Sequence, residues 1–260
     1  MLTTLWLLLG SLLAHAALPA WENTFDIAVE GKPRAVFFDA GTSSLLISLD
    51  ANGGARVDRY SLEGKLQEKG TMKAAGEAGA LRAYDVNLYW IAGGKLIASG
   101  PHGKALALSE AFAPGNFTDV TVLRGGKPLA VGPAGVTSAE MANAGYPQAT
   151  GVYQYLNDVY VLFAGGKLGR LGEKKSEKVC KDCRWLERTS AGDWLFVEGK
   201  KLIRHVAGKK SFPFLEFSSA PGRPAYVFQK DPADDFVLVP LPEEGKVKAF
   251  RAPRPAFPKP

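Results

Sequence analysis

Residues Asp158 to Leu171, DVYVLFAGGKLGRL, decide the fold. Val159 to Phe163 is apolar or aromatic throughout, with β-branched Val at two positions, a composition suited to a strand buried on both faces. Gly165 and Gly166 follow, and paired glycines take the positive φ that a two-residue hairpin turn demands. Lys167 to Leu171 then alternates polar with apolar or small residues, as a half-exposed partner strand does.

The same strand, turn, strand unit recurs along the chain. Copies turn at Gly53 and Gly54, at Gly93 and Gly94, at Gly199 and at Gly245. In an eroded copy, Gly125 and Gly126 precede the apolar run Leu129 to Gly132. The apolar strands begin near Leu45, Leu88, Leu129, Val159, Trp194 and Phe236, a spacing of roughly 30 to 43 residues that is expected of propeller blades with four strands each. No convincing 3.6-residue periodicity appears after the first segment, which argues against helical solenoids. The expected fold is therefore all-β, a six-bladed β-propeller of four-stranded blades, with a β-sandwich as the structural alternative. The last hairpin, Phe236 to Arg251, is followed by RAPRPAFPKP and has no fourth strand of its own. Because an open edge strand invites aggregation, Thr24 to Val29 is expected to close blade six beside Gly245 to Arg251.

Three segments follow: a signal peptide over 1–16, the propeller over 21–251 and a Pro-rich tail over 252–260, expected to be mobile. Leu5 to Leu13 is a short apolar run and Ala14-His15-Ala16 fits small-x-small cleavage, so the expected location is periplasmic or secreted. Residues Met1 to Ala20 carry no Lys or Arg, which leaves an uncleaved anchor open. No transmembrane span is expected once the leader is removed.

The formal net charge of +6 speaks first to a solvated, soluble rim. Its sharper reading is attraction to acidic envelope polymers or anionic lipid; the partners considered are an acidic small molecule or a cell-envelope component. No recognised nucleic-acid-binding motif is present, and nucleic acid is not an expected partner. Cys180 and Cys183 form C-x-x-C with Arg184 next, so haem attachment is ruled out, and no second pair exists to complete a zinc site. In an oxidising compartment a local disulfide is the default. His102 and His205 lie in no catalytic motif, and no cofactor is indicated.

Residues Val36 to Lys69, VFFDAGTSSLLISLDANGGARVDRYSLEGKLQEK, and Ala225 to Phe250, AYVFQKDPADDFVLVPLPEEGKVKAF, resemble the opening and closing blades of the gluconolactonase and senescence-marker-protein superfamily of six-bladed propellers. The resemblance implies a divalent metal, usually calcium, at the channel mouth, held by Glu, Asn and Asp residues where blades begin. In this chain Arg34 stands at the Glu position, Thr118-Asp119 at an Asn-Asp pair, Thr150 at an Asn and Arg184 at the catalytic Asp. Hard cations need oxygen ligands, and two guanidinium groups would repel one, so no metal is expected. The resulting expectation is a non-catalytic binding or interaction module. Its channel mouth would take an anion through Arg34, Arg184 and Arg223, with Thr118 and Thr150 as hydroxyl contacts and Asp119 nearby. The blander expectation is that the arginines reach outward or pair with Asp119 and Asp182. The alternative function is a metal-dependent lactonase or esterase-type hydrolase.

Overall fold

The computed structural model describes residues 21–85, 87–99, 105–107, 116–138, 146–230 and 233–251, with the backbone alone at 105–107, 229, 230, 233 and 234. The leader 1–16, His102 and the tail 252–260 lie outside the described residues.

The chain forms six antiparallel sheets arranged as blades. After an outlying strand β1 (Glu22–Ala28), blade one comprises β2 (Lys32–Asp39), β3 (Ser44–Ala51), β4 (Gly54–Ser61) and β5 (Leu66–Ala74). Blade two holds β6 (Ala78–Tyr84), β7 (Asn87–Ala92), β8 (Lys95–Ser99) and β9 (Ala105–Ala107). Blade three shows β10 (Asp119–Val122), β11 (Pro128–Gly132) and β12 (Gly135–Ser138) among the described residues. Blade four is β13 (Ala149–Tyr155), β14 (Asp158–Phe163), β15 (Lys167–Arg170) and β16 (Ser176–Lys178). Blade five is β17 (Cys183–Arg188), β18 (Trp194–Glu198), β19 (Lys201–His205) and β20 (Phe212–Glu216). Blade six is β21 (Ala225–Lys230), β22 (Ala233–Leu241) and β23 (Lys246–Arg251), joined by β1 as its outermost strand.

That last pairing closes the ring. Ile27 lies opposite Val247 and Ala28 opposite Lys246, and the Val29 N–H donates to the Gly245 carbonyl at 3.1 Å. The first strand after the leader thus satisfies the last blade's free edge, as the missing fourth strand requires.

The opening hairpin differs from its sequence reading in one detail. Phe163 pairs with Lys167, so its loop has three residues, Ala164, Gly165 and Gly166. The two-residue form occurs at Gly93 and Gly94, where Ala92 pairs with Lys95 and both glycines have positive φ. The third residue in blade four lets the Gly166 carbonyl accept from Val179 N–H at 2.9 Å. A Cβ at Gly166 would collide with the Cys180 carbonyl.

The core lies between blades. Ile27, Val36, Leu45, Ile47, Leu238 and Val247 join blade six to blade one. Leu162, Leu186, Trp194 and Phe196 join blade four to blade five. The second strand of each blade carries the most apolar run because both its faces meet a neighbouring blade. β3 and β18 are buried almost end to end, while in β14 full burial is confined to Val161 and Leu162.

Candidate functional site

The first strands of the blades, β2, β6, β10, β13, β17 and β21, line the central channel, each in contact with the next around the ring. They run in the same direction. Their starts gather at one end, here the upper mouth, and their ends at the other, the lower mouth.

At the upper mouth a cavity of about 440 Å³ is lined by Arg34, Glu77, Thr118, Thr150, Arg184 and Trp185, among others. Four of the six residues expected at the site therefore meet around one space. Arg34 donates from Nε to Asp50 Oδ2 at 2.6 Å, and Asp50 Oδ1 accepts from the Ala78 N–H at 2.6 Å. Asp50 thus ties Arg34 to the start of blade two, and the pairing with Asp119 or Asp182 does not form at this position.

Arg184 differs. Its guanidinium lies over the Trp185 ring at 4.5 Å, and no carboxylate stands within 4.0 Å of it among the described residues. Partial burial and the charge of Arg34 lower its pKa, against the opposing pull of Asp182. The backbone holds it there by a β-bulge. The β17–β18 register slips between Arg184 and Glu187, and Trp185 sits at φ 58°, a conformation that bulky residues occupy only when their surroundings impose it. Gly151 in β13 makes room, since a Cβ there would lie 2.8 Å from the Trp185 carbonyl carbon. An extra residue in a strand re-aims the side chains beside it, and here the one beside it is Arg184.

The two threonines point their donors inward. Thr118 Oγ1 donates to the Val131 carbonyl at 3.2 Å, and Thr150 Oγ1 to the Cys183 carbonyl at 2.8 Å. What each hydroxyl has left for a ligand is lone pairs, which suit a donor rather than an anion.

Asp119 and Arg223 lie deeper and belong to a different structure. Arg223 is 1% exposed and Asp119 0%. Arg223 Nε donates to Asp119 Oδ1 at 2.7 Å and Nη1 to Glu187 Oε2 at 3.2 Å, while Arg82 Nη2 reaches the same Glu187 oxygen at 3.2 Å. Asp119 also accepts from the Val120 and Val152 N–H groups, each at 3.0 Å. Burial pushes the carboxyls of Asp119 and Glu187 up to about 7, although Arg82 pulls both down. Two arginines and two carboxylates thus fill the middle of the channel and tie blades two, three, five and six to one another. Sequence pattern alone does not single out Arg82 and Glu187. They are 105 positions apart and meet only when the ring closes.

At the lower mouth a second cavity, about 370 Å³, is lined by Phe37, Arg82, Tyr153, Gln154, Glu187 and Tyr226, among others. Away from the channel, Cys180 and Cys183 are disulfide-bonded with Cα atoms 6.0 Å apart. Glu198 Oε1 accepts from the Lys181 and Asp182 N–H groups in the loop they close. His205 is buried, with Nδ1 3.1 Å from Ser211 Oγ and Nε2 3.5 Å from Glu177, a position in a packed sheet and not in a cleft.

No protein-family model matches the sequence, and no curated protein matches it. Solved structures do match the fold. A gluconolactonase from Xanthomonas campestris superposes with a TM-score of 0.63 at 12% identity, over 87% of this chain and 88% of that one. A putative gluconolactonase gives 0.62 at 10% identity, over 89% and 91%. Virginiamycin B lyase from Staphylococcus aureus gives 0.58 at 10% identity, over 89% and 99%. The chain shares the six-bladed fold of the gluconolactonase-like propellers from end to end of the described ring.

Proposed function

We propose that this chain is an exported, non-catalytic binding propeller whose upper mouth takes an anionic small molecule, a sugar acid or phosphate ester in solution or carried on an envelope component. The observation that supports this best is Arg184: a guanidinium without a carboxylate partner among the described residues, held at a channel mouth by a strained bulge. Arg184 is exposed at the mouth, and a carboxylate or phosphate can pair with its guanidinium through charge-assisted hydrogen bonds. Arg34, already paired with Asp50, lies across the same cavity, which Glu77 and Glu243 also line. Export rests on the apolar run and cleavage pattern of the first 16 residues.

The same residues do not fit a divalent cation. Asp119, the carboxylate at the family's metal position, already accepts from Arg223 and two backbone N–H groups. Arg34 and Arg184 would oppose a hard cation, which needs several oxygen ligands. This speaks against the metal-dependent hydrolase that the named neighbours bring to mind.

Calorimetric titration of glucuronate, gluconate and phosphate tests the proposal. Wild type should bind at least one of them, and the Arg34→Ala, Arg184→Ala double variant should lose roughly 1.5 to 3 kcal/mol for each charge-assisted contact. Equal, weak, salt-screened binding by both proteins would sink it. A rise in melting temperature with calcium would restore the hydrolase, because a ligand of the native state must stabilise it.

A further inference from the structure

The lower mouth has the makings of a second site with the opposite charge logic. Its floor is Arg82 and Glu187, each 7% exposed, joined by a 3.2 Å hydrogen bond. With Asp119 and Arg223 behind them, each arginine of the floor has a carboxyl beside it, and Arg124, farther out in the lining, donates to Asn157 Oδ1 at 3.0 Å. The floor presents a guanidinium donor beside a carboxyl acceptor. The walls are aromatic: Phe37, with the Arg82 guanidinium 5.6 Å from its ring centroid, Tyr153 and Tyr226. Gln154 in the wall gives its Nε2 to the Leu156 carbonyl, whereas its Oε1 is buried with no partner among the described residues. Buried acceptors are nearly always paired, and one left unmet at a cavity wall marks a missing donor. A cavity of about 370 Å³ is in the range of small-molecule sites, which combine apolar walls with a few fixed polar groups.

We infer that the lower mouth binds a neutral, planar aromatic molecule bearing a carboxamide or lactam edge. The ring would lie against Phe37, Tyr153 and Tyr226. The ligand's carbonyl would accept from Arg82, and its N–H would donate to Glu187, or to Gln154 after a small rotation of that amide. Anions are disfavoured because Glu187 faces the same space. Purely apolar rings are disfavoured because they would cover the floor without using its remaining donor and acceptor capacity or meeting Gln154 Oε1.

The test uses the full chain with benzamide, toluene and benzoate as probes, followed by ligand-observed NMR and calorimetry. Benzamide should bind saturably, at least tenfold tighter than toluene, and with an affinity that salt does not change. Ala83→Leu, at a lining residue that also packs against the core between blades one and two, should weaken benzamide at least tenfold while the melting temperature holds, and Gln154→Leu should narrow its margin over toluene. Arg184→Ala, at the other mouth, should leave benzamide untouched while removing the anion binding proposed above, so the two sites fail or stand separately. Benzamide binding no better than toluene, or unaffected by Ala83→Leu, would overturn the inference.

Discussion

The two ends of the channel are built from the same six strands and differ in how their charges are settled. At the strand starts, Arg34 pairs with Asp50, and Arg184 lies over an aromatic face with no carboxylate in contact among the described residues. Toward the strand ends, Arg82, Arg223, Asp119 and Glu187 form a closed set. Depth explains the difference. A charge in the packed middle must be paired and hydrogen-bonded, because its desolvation is not otherwise repaid. A charge at the rim keeps some water and can be left with capacity for a ligand. The middle network therefore ties the blades together, with Arg82 and Glu187 also facing the lower cavity, and the rim arginine is the one proposed to take an anion.

That division predicts unequal responses to losing an arginine. Arg223→Ala strands two buried carboxyls and removes links between blades. It should destabilise the fold by about 3 to 5 kcal/mol, the usual result of breaking a buried pair from one side. Arg184→Ala should change stability by no more than about 0.5 kcal/mol, as for surface positions. Denaturant unfolding of the two variants beside wild type measures both. Similar losses in the two would erase the distinction between rim and middle. For ligand affinity the order reverses: Arg184→Ala alone should cost the anion roughly 1.5 to 3 kcal/mol.

Much of this was legible before folding. Glycine pairs at blade-length intervals announce the hairpins, since only such turns need positive φ at both central residues, as at Gly93 and Gly94. Closure by the first strand followed from a last blade one strand short. The upper-mouth residues were legible through the resemblance, which places Arg34, Thr118, Thr150 and Arg184 at its metal-site positions, and strand starts converge in a propeller. Asp119 and Arg223, both expected at the mouth, meet over 104 positions, as the blander expectation of an arginine paired with Asp119 has it. What the pattern did not disclose is that Arg82 and Glu187 face inward to join them. The bulge at Trp185 was equally silent, because a positive φ at tryptophan is imposed by Gly151 and the neighbouring strand rather than by its own preference. The threonine hydroxyls could be located but not aimed.

A smaller effect separates the middle from the rim by pH. The carboxyls of Asp119 and Glu187 stand at about 7 in the fold and near 4 when unfolded. Between those values the folded state holds more protons, so their contribution to stability is fully present below about 4 and is lost as pH rises through about 7. The slope is no steeper than about 1.4 kcal/mol per pH unit for each carboxyl. Thermal unfolding of wild type between pH 5 and 8 should show the decline, and Glu187→Gln should flatten it. Arg184→Ala should leave it unchanged. A wild-type stability that stays flat across this interval would mean that the arginines hold both carboxyls ionised throughout, and the network would then be a fixed ion cluster.

The smallest expected effect tests the rim itself. Thr150 lies in the upper cavity, and its residue type alone suggests a hydroxyl that donates to an anion. The geometry assigns that donor to the Cys183 carbonyl at 2.8 Å, where it links the start of β13 to the start of β17, one residue before Arg184. Thr150→Val keeps the shape of the side chain and removes the hydroxyl. If the donor is committed inward, the variant should lose about 1 kcal/mol of stability, the net worth of one hydrogen bond. Its affinity for the anion should change by less than about 0.5 kcal/mol, within the ordinary spread for a group that does not touch the ligand. Thr118→Val, whose hydroxyl donates to the Val131 carbonyl, should behave alike. A loss of anion affinity comparable to that of Arg184→Ala would show that ligand binding turns the hydroxyl outward, and the mouth would then be a site that forms on binding. An unchanged affinity would leave recognition to the guanidinium groups, with the threonines fixing the strand from which Arg184 projects.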